Sequence, residues 1–269
     1  MTAPAEPQSI LLDVRADTGV AVLTLNRPEQ LNAFDLSMIG QWRAGLARVE
    51  ADRSIRALVV TGAGTAFCAG GDMRELESFL AMGAVERKAF LFENVHQIPL
   101  ALERIDCPVI AAINGTARGA GLDMALMCDL RVMDEATEVA ESYVHVGLMP
   151  GDGGGWFLPR LVGLPRALEL LWTGDAIDAR TAREIGLVNR VAPAGQALAQ
   201  AVTLAERIAR QPPHAVRFTK RAVYQSLGVG VALRTHLDAV SSHMAVLEDT
   251  PDFRVRVEAF RTRQAKGRG

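Results

Sequence analysis

A strand that ends in a glycine-rich turn and resumes as an apolar helix is the feature that most restricts how this chain can fold. The strand is the apolar run PVIAAI at 108–113, the turn occupies 114–121, and Leu122 and Leu126 follow at helical spacing with Asp123 between them. Such a turn leaves N–H groups at the helix start without partners, where a ligand oxygen can reach them. An ordinary βα turn would have the same pattern, because an acid such as Asp123 is stabilised near a helix N-terminus in any case. Both interpretations stay open on this stretch alone.

The composition argues against several classes of protein. With 29 basic and 31 acidic residues among 269, no overall charge favours nucleic acid or a membrane surface as a partner. An apolar fraction of 49% supplies a sizeable core, but no apolar run reaches the ~18 residues of a membrane span. The three cysteines have no metal or disulfide spacing, and the N-terminus has no signal-peptide pattern. We therefore expect a cytoplasmic protein with no metal site.

The order of the predicted elements favours an α/β fold followed by a helical region. Short apolar strands alternate with helical patterns over residues 1–193, and Ser37 is the expected N-cap of a first long helix over 37–52. A break at Ala-Pro-Ala-Gly near residue 193 opens an almost entirely helical segment, 194–269. The apolar positions of this segment exceed what a thin lid could bury, so we expect an oligomerisation region there.

A second glycine-rich turn, at 69–72, repeats the design of the turn at 119–121, because each follows a short buried strand and opens a helix. The first is not a P-loop, since no Gly-Lys-Ser/Thr follows it. The second lacks the full GxGxxG spacing, which leaves an NAD-binding domain as a poor alternative. Facing each other, the two turns would supply two N–H donors to one carbonyl oxygen, an oxyanion hole. No Gly-x-Ser-x-Gly elbow is present, which weakens a serine hydrolase.

Several segments in matching order and spacing make the chain resemble the crotonase (enoyl-CoA hydratase/isomerase) family over nearly its whole length. They are NRPEQLNAF, TGAGTAFCAGGDMREL, INGTARGAGLDMALMCDLRV, VGLMPGDGGGWFLPRLVG, TGDAIDARTAREIGLVNRVAP and FRVRVEAFRTR. The resemblance implies an α/β spiral of repeated ββα units, then a helical region that packs trimers, often as a dimer of trimers. It also implies an acyl-CoA thioester as substrate, with no cofactor beyond the coenzyme A that the substrate carries.

The resemblance places site residues at specific positions of this sequence. The oxyanion donors would be the N–H groups of Gly71 and of Ala120, which stands where glycine is usual. The residues that would contact the substrate are Glu29, Leu31, Ala69, Gly71, Asp72, Met73, Arg74, Ala120, Phe260 and Arg263. Phe260 and Arg263 would reach CoA bound to a neighbouring subunit, although an ordinary amphipathic helix end is an equally good interpretation of them.

The acid/base positions depart from the family pattern. The resemblance implies that a hydratase uses two glutamates to activate water and to protonate the α-carbon. In this sequence the first of these positions is occupied by Asp123 and the second by Tyr143. A tyrosine titrates near ~10, so it can orient water but is a poor base. Asp152 is most simply the N-cap of the next helix, yet it lies in the loop that lines the acyl pocket in relatives. It is therefore a third catalytic candidate.

We therefore predict an enoyl-CoA hydratase-like enzyme in which Asp123 is the general acid/base and Tyr143 and Asp152 orient water or substrate. Double-bond isomerisation, C–C cleavage, dehalogenation or decarboxylation through the same enolate are alternatives, as is a non-catalytic acyl-CoA-binding protein. Glu141 and His145 flank Tyr143 and are expected to face solvent or to be structural. His96, in an amphipathic helix pattern, is expected to be structural.

Overall fold

The computed structural model describes residues 8–72, 74, 81–228, 233–248, 250–256 and 258. The chain divides into two compact units, Met1–Ile208 and Ala209–Gly269. The first unit therefore extends past the predicted boundary at 193 and takes in most of the following helix, whose residues Ala201 and Ala205 are fully buried. The assignment of substrate binding to 1–193 and of oligomerisation to 194–269 stays a prediction.

In the described part of the chain, the strands of the first unit form two sheets. The larger sheet has the order β1-β2-β3-β5-β7-β10, and only the first pair is antiparallel. Its strands are β1 (Ile10–Arg15), β2 (Val20–Leu25), β3 (Ala57–Gly62), β5 (Val109–Ile113), β7 (Leu130–Asp134) and β10 (Arg190–Ala192). All residues of β3 and β5 are buried, as expected of central parallel strands that are covered on both faces.

The smaller sheet has the order β4-β6-β8-β9, with β4, β6 and β8 parallel and β9 antiparallel. Its strands are β4 (Ala66–Cys68), β6 (Thr116–Arg118), β8 (Glu138–Ala140) and β9 (Ile177–Asp178). The chain enters the two sheets alternately, since β3 is followed by β4, β5 by β6 and β7 by β8. This alternation is the ββα repeat that the resemblance implied.

The helices of the first unit cover its sheets and connect its repeats. They are α1 (Leu36–Ala51), α2 (Ala84–Phe90), α3 (Gln97–Arg104), α4 (Ala120–Leu126), α5 (Gly154–Val162), α6 (Leu164–Thr173), α7 (Ala179–Glu184) and α8 (Ala197–Ala209). The second unit contributes α9 (Pro213–Ser226) and α10 (Leu233–Glu248). A π-helical segment, Leu91–Val95, joins α2 to α3, and short 3₁₀ segments lie at Pro28–Gln30 and Ser142–Val146. No helix in this description is long and apolar enough to cross a bilayer.

Helix α1 shows how an amphipathic sequence fixes one face against the core. Met38, Trp42 and Leu46 recur at a four-residue spacing and are buried in one cluster with the strands of the larger sheet. The predicted N-cap is wrong by two residues, because Asp35 rather than Ser37 caps the helix and accepts a hydrogen bond from Met38 N at 2.8 Å. Both residues are capable caps; the extended backbone at Asp35 selects it.

Candidate active site

Three parallel strands of the smaller sheet end side by side, and the segments that follow them build the site. Strands β4, β6 and β8 end at Cys68, Arg118 and Ala140 and are neighbours in the order β4-β6-β8. Because parallel strands deliver their carboxyl ends to the same edge, the turns at 69–72 and 119–121 and the segment that begins at Glu141 are adjacent.

Gly71 lies in a short parallel pairing that leaves its own N–H unused. Phe34 N donates to Gly70 O and Asp72 N donates to Phe34 O, both at 2.9 Å, so the residues on either side of Gly71 make the pairing. The Gly71 amide therefore points away from Phe34. It donates to no acceptor within the part of the chain that the structure describes.

Ala120 is the first residue of α4, and its N–H is one of the donors that a helix start leaves without an intrahelical partner. The turn before it requires glycine, since Gly119 has φ 48° and ψ −120°, a conformation that side chains disfavour. Among the described acceptors, none takes the Ala120 N–H. A Cβ built on Gly70 would lie 3.7 Å from Ala120 N, which places the two turns in direct contact.

The two turns approach so closely that one position admits only glycine. A Cβ at Gly121 would overlap the carbonyl oxygen of Cys68, at the end of β4. The backbone of one turn therefore rests on the backbone of the other. This contact holds the Gly71 and Ala120 amides on neighbouring segments at the same edge of the smaller sheet.

Beside these amides lies a chain of buried acidic and phenolic side chains. Tyr143 Oη is 2.7 Å from Asp123 Oδ2 and 2.8 Å from Asp152 Oδ2, and Asp152 N donates to Asp123 Oδ2 at 3.2 Å. Asp123 is fully buried and Asp152 nearly so. The ring of Tyr143 borders Gly119, 3.6 Å from where a Cβ would stand, so its hydroxyl lies between the turn and the two carboxyl groups.

Comparison with known proteins shows to which family this chain belongs. The family model described as enoyl-CoA hydratase/isomerase matches residues 15–264. The chain belongs to the enoyl-CoA hydratase/isomerase family. The crystal structure of an enoyl-CoA hydratase from Bacillus anthracis superimposes with a TM-score of 0.86 at 34% identity, covering 95% of this chain and 97% of that one. The predicted family and crotonase fold are thus confirmed.

Two curated relatives carry different activities in their names. The short-chain-enoyl-CoA hydratase of Clostridium acetobutylicum is 34% identical over 209 residues, 77% of this chain and 78% of the relative. The 1,2-epoxyphenylacetyl-CoA isomerase of Escherichia coli is 33% identical over 244 residues, 91% of this chain and 92% of the relative. Membership of the family makes this chain an enzyme of the hydratase/isomerase class.

Several predicted substrate-binding residues of the family site lie on two segments that run together. Leu31 O accepts a hydrogen bond from Ala69 N at 3.0 Å, which joins the loop containing Glu29 and Leu31 to the first glycine turn. Leu31 is half-exposed with φ 50°, and Glu29 is exposed. Met73, Phe260 and Arg263 lie outside the described residues.

Asp72 anchors the first turn through two arginines. Arg74 Nη2 lies 2.8 Å from Asp72 Oδ2, and Arg27 Nη2 lies 3.1 Å from the same oxygen and 3.0 Å from Asp35 Oδ2. The hydrogen bond from Arg74 is the main cause of a lowered Asp72 pKa, with Arg27 adding to it. The side chain of Arg74 remains largely exposed, and its role in CoA binding stays a prediction.

The N-cap interpretation of Asp152 is wrong, and one of the two alternatives for Glu141 is excluded. Asp152 does not cap α5: the N-cap is Gly153, with no side-chain cap, and the Asp152 carboxyl instead turns inward to Tyr143. Glu141 does not face solvent, since it is only 2% exposed and its carboxyl lies against Asp123. The sequence did not reveal that Glu141 is buried, because its burial depends on β8, a strand of only three residues that directly precedes it.

His96 supports this acidic group from the other side. Its Nε2 donates to Gly151 O at 2.8 Å and lies 3.7 Å from Asp152 Oδ1. These contacts tie His96 to the loop that carries Asp152, and the structural role predicted for His96 stays a prediction. His145 is exposed, with Nε2 3.0 Å from Thr173 O.

Burial sets the protonation of the acidic group. It raises the pKa of Asp123, although the hydrogen bond from Tyr143 opposes the shift, and the charge of Asp152 adds to it. Burial also raises the pKa of Asp152, opposed by Tyr143 and His96. Burial and then the charge of Asp123 raise the pKa of Tyr143, which therefore stays protonated and serves as a hydrogen-bond donor.

Proposed function

We propose that this enzyme adds water across the double bond of an enoyl-CoA thioester, and removes it in the reverse direction. The observation that carries the proposal is the meeting of two unused backbone N–H groups, of Gly71 and Ala120, with the buried group Asp123, Tyr143 and Asp152. Two donors aimed at one thioester oxygen stabilise the negative charge of an enolate. A carboxylate with a raised pKa beside them is suited to exchanging protons near neutral pH.

The proposed chemistry conserves every atom of water. Asp123 accepts a proton from the attacking water, whose hydroxyl forms a bond to the β-carbon while the double bond shifts its electrons onto the thioester oxygen. The enolate then collapses to the thioester as its α-carbon takes the proton back from Asp123. Tyr143 and Asp152 orient the water, and this sequence calls for no cofactor beyond the coenzyme A moiety of the substrate.

The test is a panel of enoyl-CoA and aryl-CoA esters, crotonyl-CoA among them, with products weighed by mass spectrometry. A product heavier by one water supports the proposal. A complete lack of turnover, with acyl-CoA still bound in calorimetry, would contradict it and favour a protein that only binds acyl-CoA.

Isomerisation is the second candidate, favoured by the similarity to the Escherichia coli isomerase over 91% of this chain. Isomerisation would use the same oxyanion hole and a single carboxylate that exchanges protons with the substrate. In the same panel it would give a rearranged product of unchanged mass, so the two reactions are distinguished in one measurement.

Removing the hydroxyl of Tyr143 tests how the acidic group is tuned. In Tyr143→Phe, Asp123 loses a hydrogen bond that lowers its pKa, so that pKa should rise further and the acid limb of kcat/KM should move to higher pH. We expect kcat to fall about 10- to 100-fold, the equivalent of one hydrogen bond to a charged group. Tyr224→Phe, at the chain's other tyrosine, is the control and should leave the pH profile in place. If the acid limb of kcat/KM stays at the same pH in Tyr143→Phe, the hydroxyl of Tyr143 does not tune the pKa of Asp123.

We propose further that the chain assembles into homotrimers or hexamers through its C-terminal helices. Large apolar side chains of the second unit are exposed in the single chain. They include Val223, Tyr224, Leu227, Leu237, Met244 and Val246. Light scattering of the purified protein should give three or six times the mass of the chain, and a monomer would contradict this assembly.

A further inference from the structure

Glu141 is a buried acid to which the proposed reaction assigns no step. It follows β8 directly and is only 2% exposed. Its carboxyl and that of Asp123 border the same backbone position: a Cβ built on Gly154 would overlap Asp123 Oδ1 and lie 3.1 Å from Glu141 Oε1. The two acids therefore share one enclosed space between β8, α4 and the start of α5.

The hydrogen-bond inventory of this space is incomplete unless one acid carries a proton. Asp123 Oδ1 and both oxygens of Glu141 are buried, and no hydrogen bond of good geometry reaches them from the described residues, although the N–H of Gly154 is close enough to Asp123 to lower its pKa. Two ionised carboxylates can only accept hydrogen bonds, so they cannot satisfy one another. The described residues contain no group of acids, histidines and cysteines that could hold a metal ion in their place. A single proton on one of the two acids supplies a donor between them, where two ionised carboxylates would have none.

The surroundings decide which acid holds that proton. Asp123 Oδ2 already accepts from Tyr143 Oη and from Asp152 N, and these donors favour the ionised form of Asp123. Glu141 has no such donor. Burial, and then the charge of Asp123, raise the pKa of Glu141 well above its ordinary value, with the charge of Asp152 adding to the shift. Beyond these groups, His96 faces Asp152 rather than Glu141.

We infer that Glu141 is a neutral positioning residue, whose carboxylic acid donates a hydrogen bond to Asp123 Oδ1 and so holds Asp123 ionised with its other oxygen toward Tyr143. Its catalytic consequence rests on the proposed function of Asp123, whereas its protonation does not. Glu141 acts through Asp123 and exchanges no proton with the substrate. The side chain of Glu141 thus has the role of a hydrogen-bond donor, which an amide or hydroxyl side chain could also fill.

Two substitutions separate a proton donor from a charge. Glu141→Gln keeps the size and an N–H donor, whereas Glu141→Met keeps the approximate size and removes the donor. We expect Glu141→Met to lower kcat about 10- to 100-fold, the equivalent of one hydrogen bond to a charged group, with KM nearly unchanged. Its acid limb should move to higher pH, because the bond from Glu141 lowers the pKa of Asp123. Glu141→Gln should recover most of the lost kcat and return the acid limb toward that of the wild type.

An infrared spectrum at neutral pH reads the proton directly and needs no substrate. The wild type should show the carbonyl stretch of a protonated, buried carboxylic acid, and Glu141→Gln should lack it. Glu138→Gln is the matched control, since Glu138 starts the same strand and is exposed. This control should keep the band and the kinetics.

Stability gives an independent reading of the same proton. An acid whose pKa is raised on folding contributes stability below its unfolded pKa, about 4.3 for glutamate, and loses it as the pH rises toward the folded pKa. The free energy of unfolding of the wild type should therefore fall as the pH rises from 5 to 9, a range in which the carboxyl of Asp123, whose pKa burial raises to about 6, also titrates. The corresponding slope should be smaller in Glu141→Gln.

The infrared band decides the inference. A band of unchanged intensity in Glu141→Gln, or no band in the wild type, would show that Glu141 is ionised and would overturn the inference. Equal impairment of Glu141→Gln and Glu141→Met would overturn the positioning role. If the wild type turns over no CoA ester, the proposed function fails while the band and the pH slope still decide the protonation. If Glu141→Met does not fold, the comparison of Glu141→Gln with the wild type is sufficient.

Discussion

Asp123→Asn should lower kcat for crotonyl-CoA hydration by about 10²- to 10⁴-fold, the range expected when a general acid/base is lost. The amide has the shape of the carboxyl group, so the contacts with Tyr143 and Asp152 N can persist, but it cannot accept the proton of water. The substitution also removes a charge that is costly to bury, so the melting temperature should stay the same or rise. Kinetics of the loss of enoyl absorbance, together with thermal melting, check both expectations.

A carboxyl-to-amide change elsewhere provides the control. Asp13→Asn alters an exposed side chain of β1 and should match the wild type in rate. If Asp123→Asn were also as active as the wild type, Asp123 would not be the acid/base, and the acidic group would need another member in that role.

Ala120→Pro should lower kcat by about 10²- to 10³-fold, the effect of losing one oxyanion donor. A backbone N–H cannot be removed by changing a side chain, but proline removes it. Ala120 is the first residue of α4, a position at which helices accept proline readily, and the preceding Gly119 has no Cβ to meet the ring. The fold should therefore survive the change while the thioester oxygen loses a donor.

Ala120→Gly is the matched control, since it removes the methyl group and keeps the N–H. The comparison rests on kcat for crotonyl-CoA, with binding of coenzyme A measured by calorimetry and folding by thermal melting. We expect the glycine variant to retain far more activity than the proline variant. Similar rates in the two folded variants would mean that the Ala120 amide does not stabilise the enolate.

The centre of the larger sheet follows from local pattern, and the smaller sheet does not. Strands β3 and β5 are runs of buried residues, as expected of central parallel strands, and the run predicted at 108–113 agrees with β5 within one residue. Strands β4, β6 and β8 have three residues each, and glycines close to β4 and β6 dominate the local signal there. Three residues contain too little periodicity to distinguish a strand from a turn.

The site divides in the same way. Gly71, Ala120 and Asp123 belong to glycine-rich segments that stand out in the sequence, and the structure brings them to one edge of the smaller sheet. Glu141 gives no such signal, because a lone acid between Ala140 and Ser142 reads as an exposed turn residue. Its burial depends on β8 pairing with β6, a contact between residues far apart in the chain.

The sequence by itself determined the family, the alternation of strands and helices, and the two glycine-rich turns that contain Gly71 and Ala120. These properties are local, since they depend on apolar spacing and on the backbone freedom of glycine. Only the tertiary structure decided that Glu141 joins Asp123, Tyr143 and Asp152, which the sequence had already grouped, and that all four lie in one buried space. The protonation of that group follows from burial and from mutual charge, which depend on distances between segments and so are not encoded in any one of them.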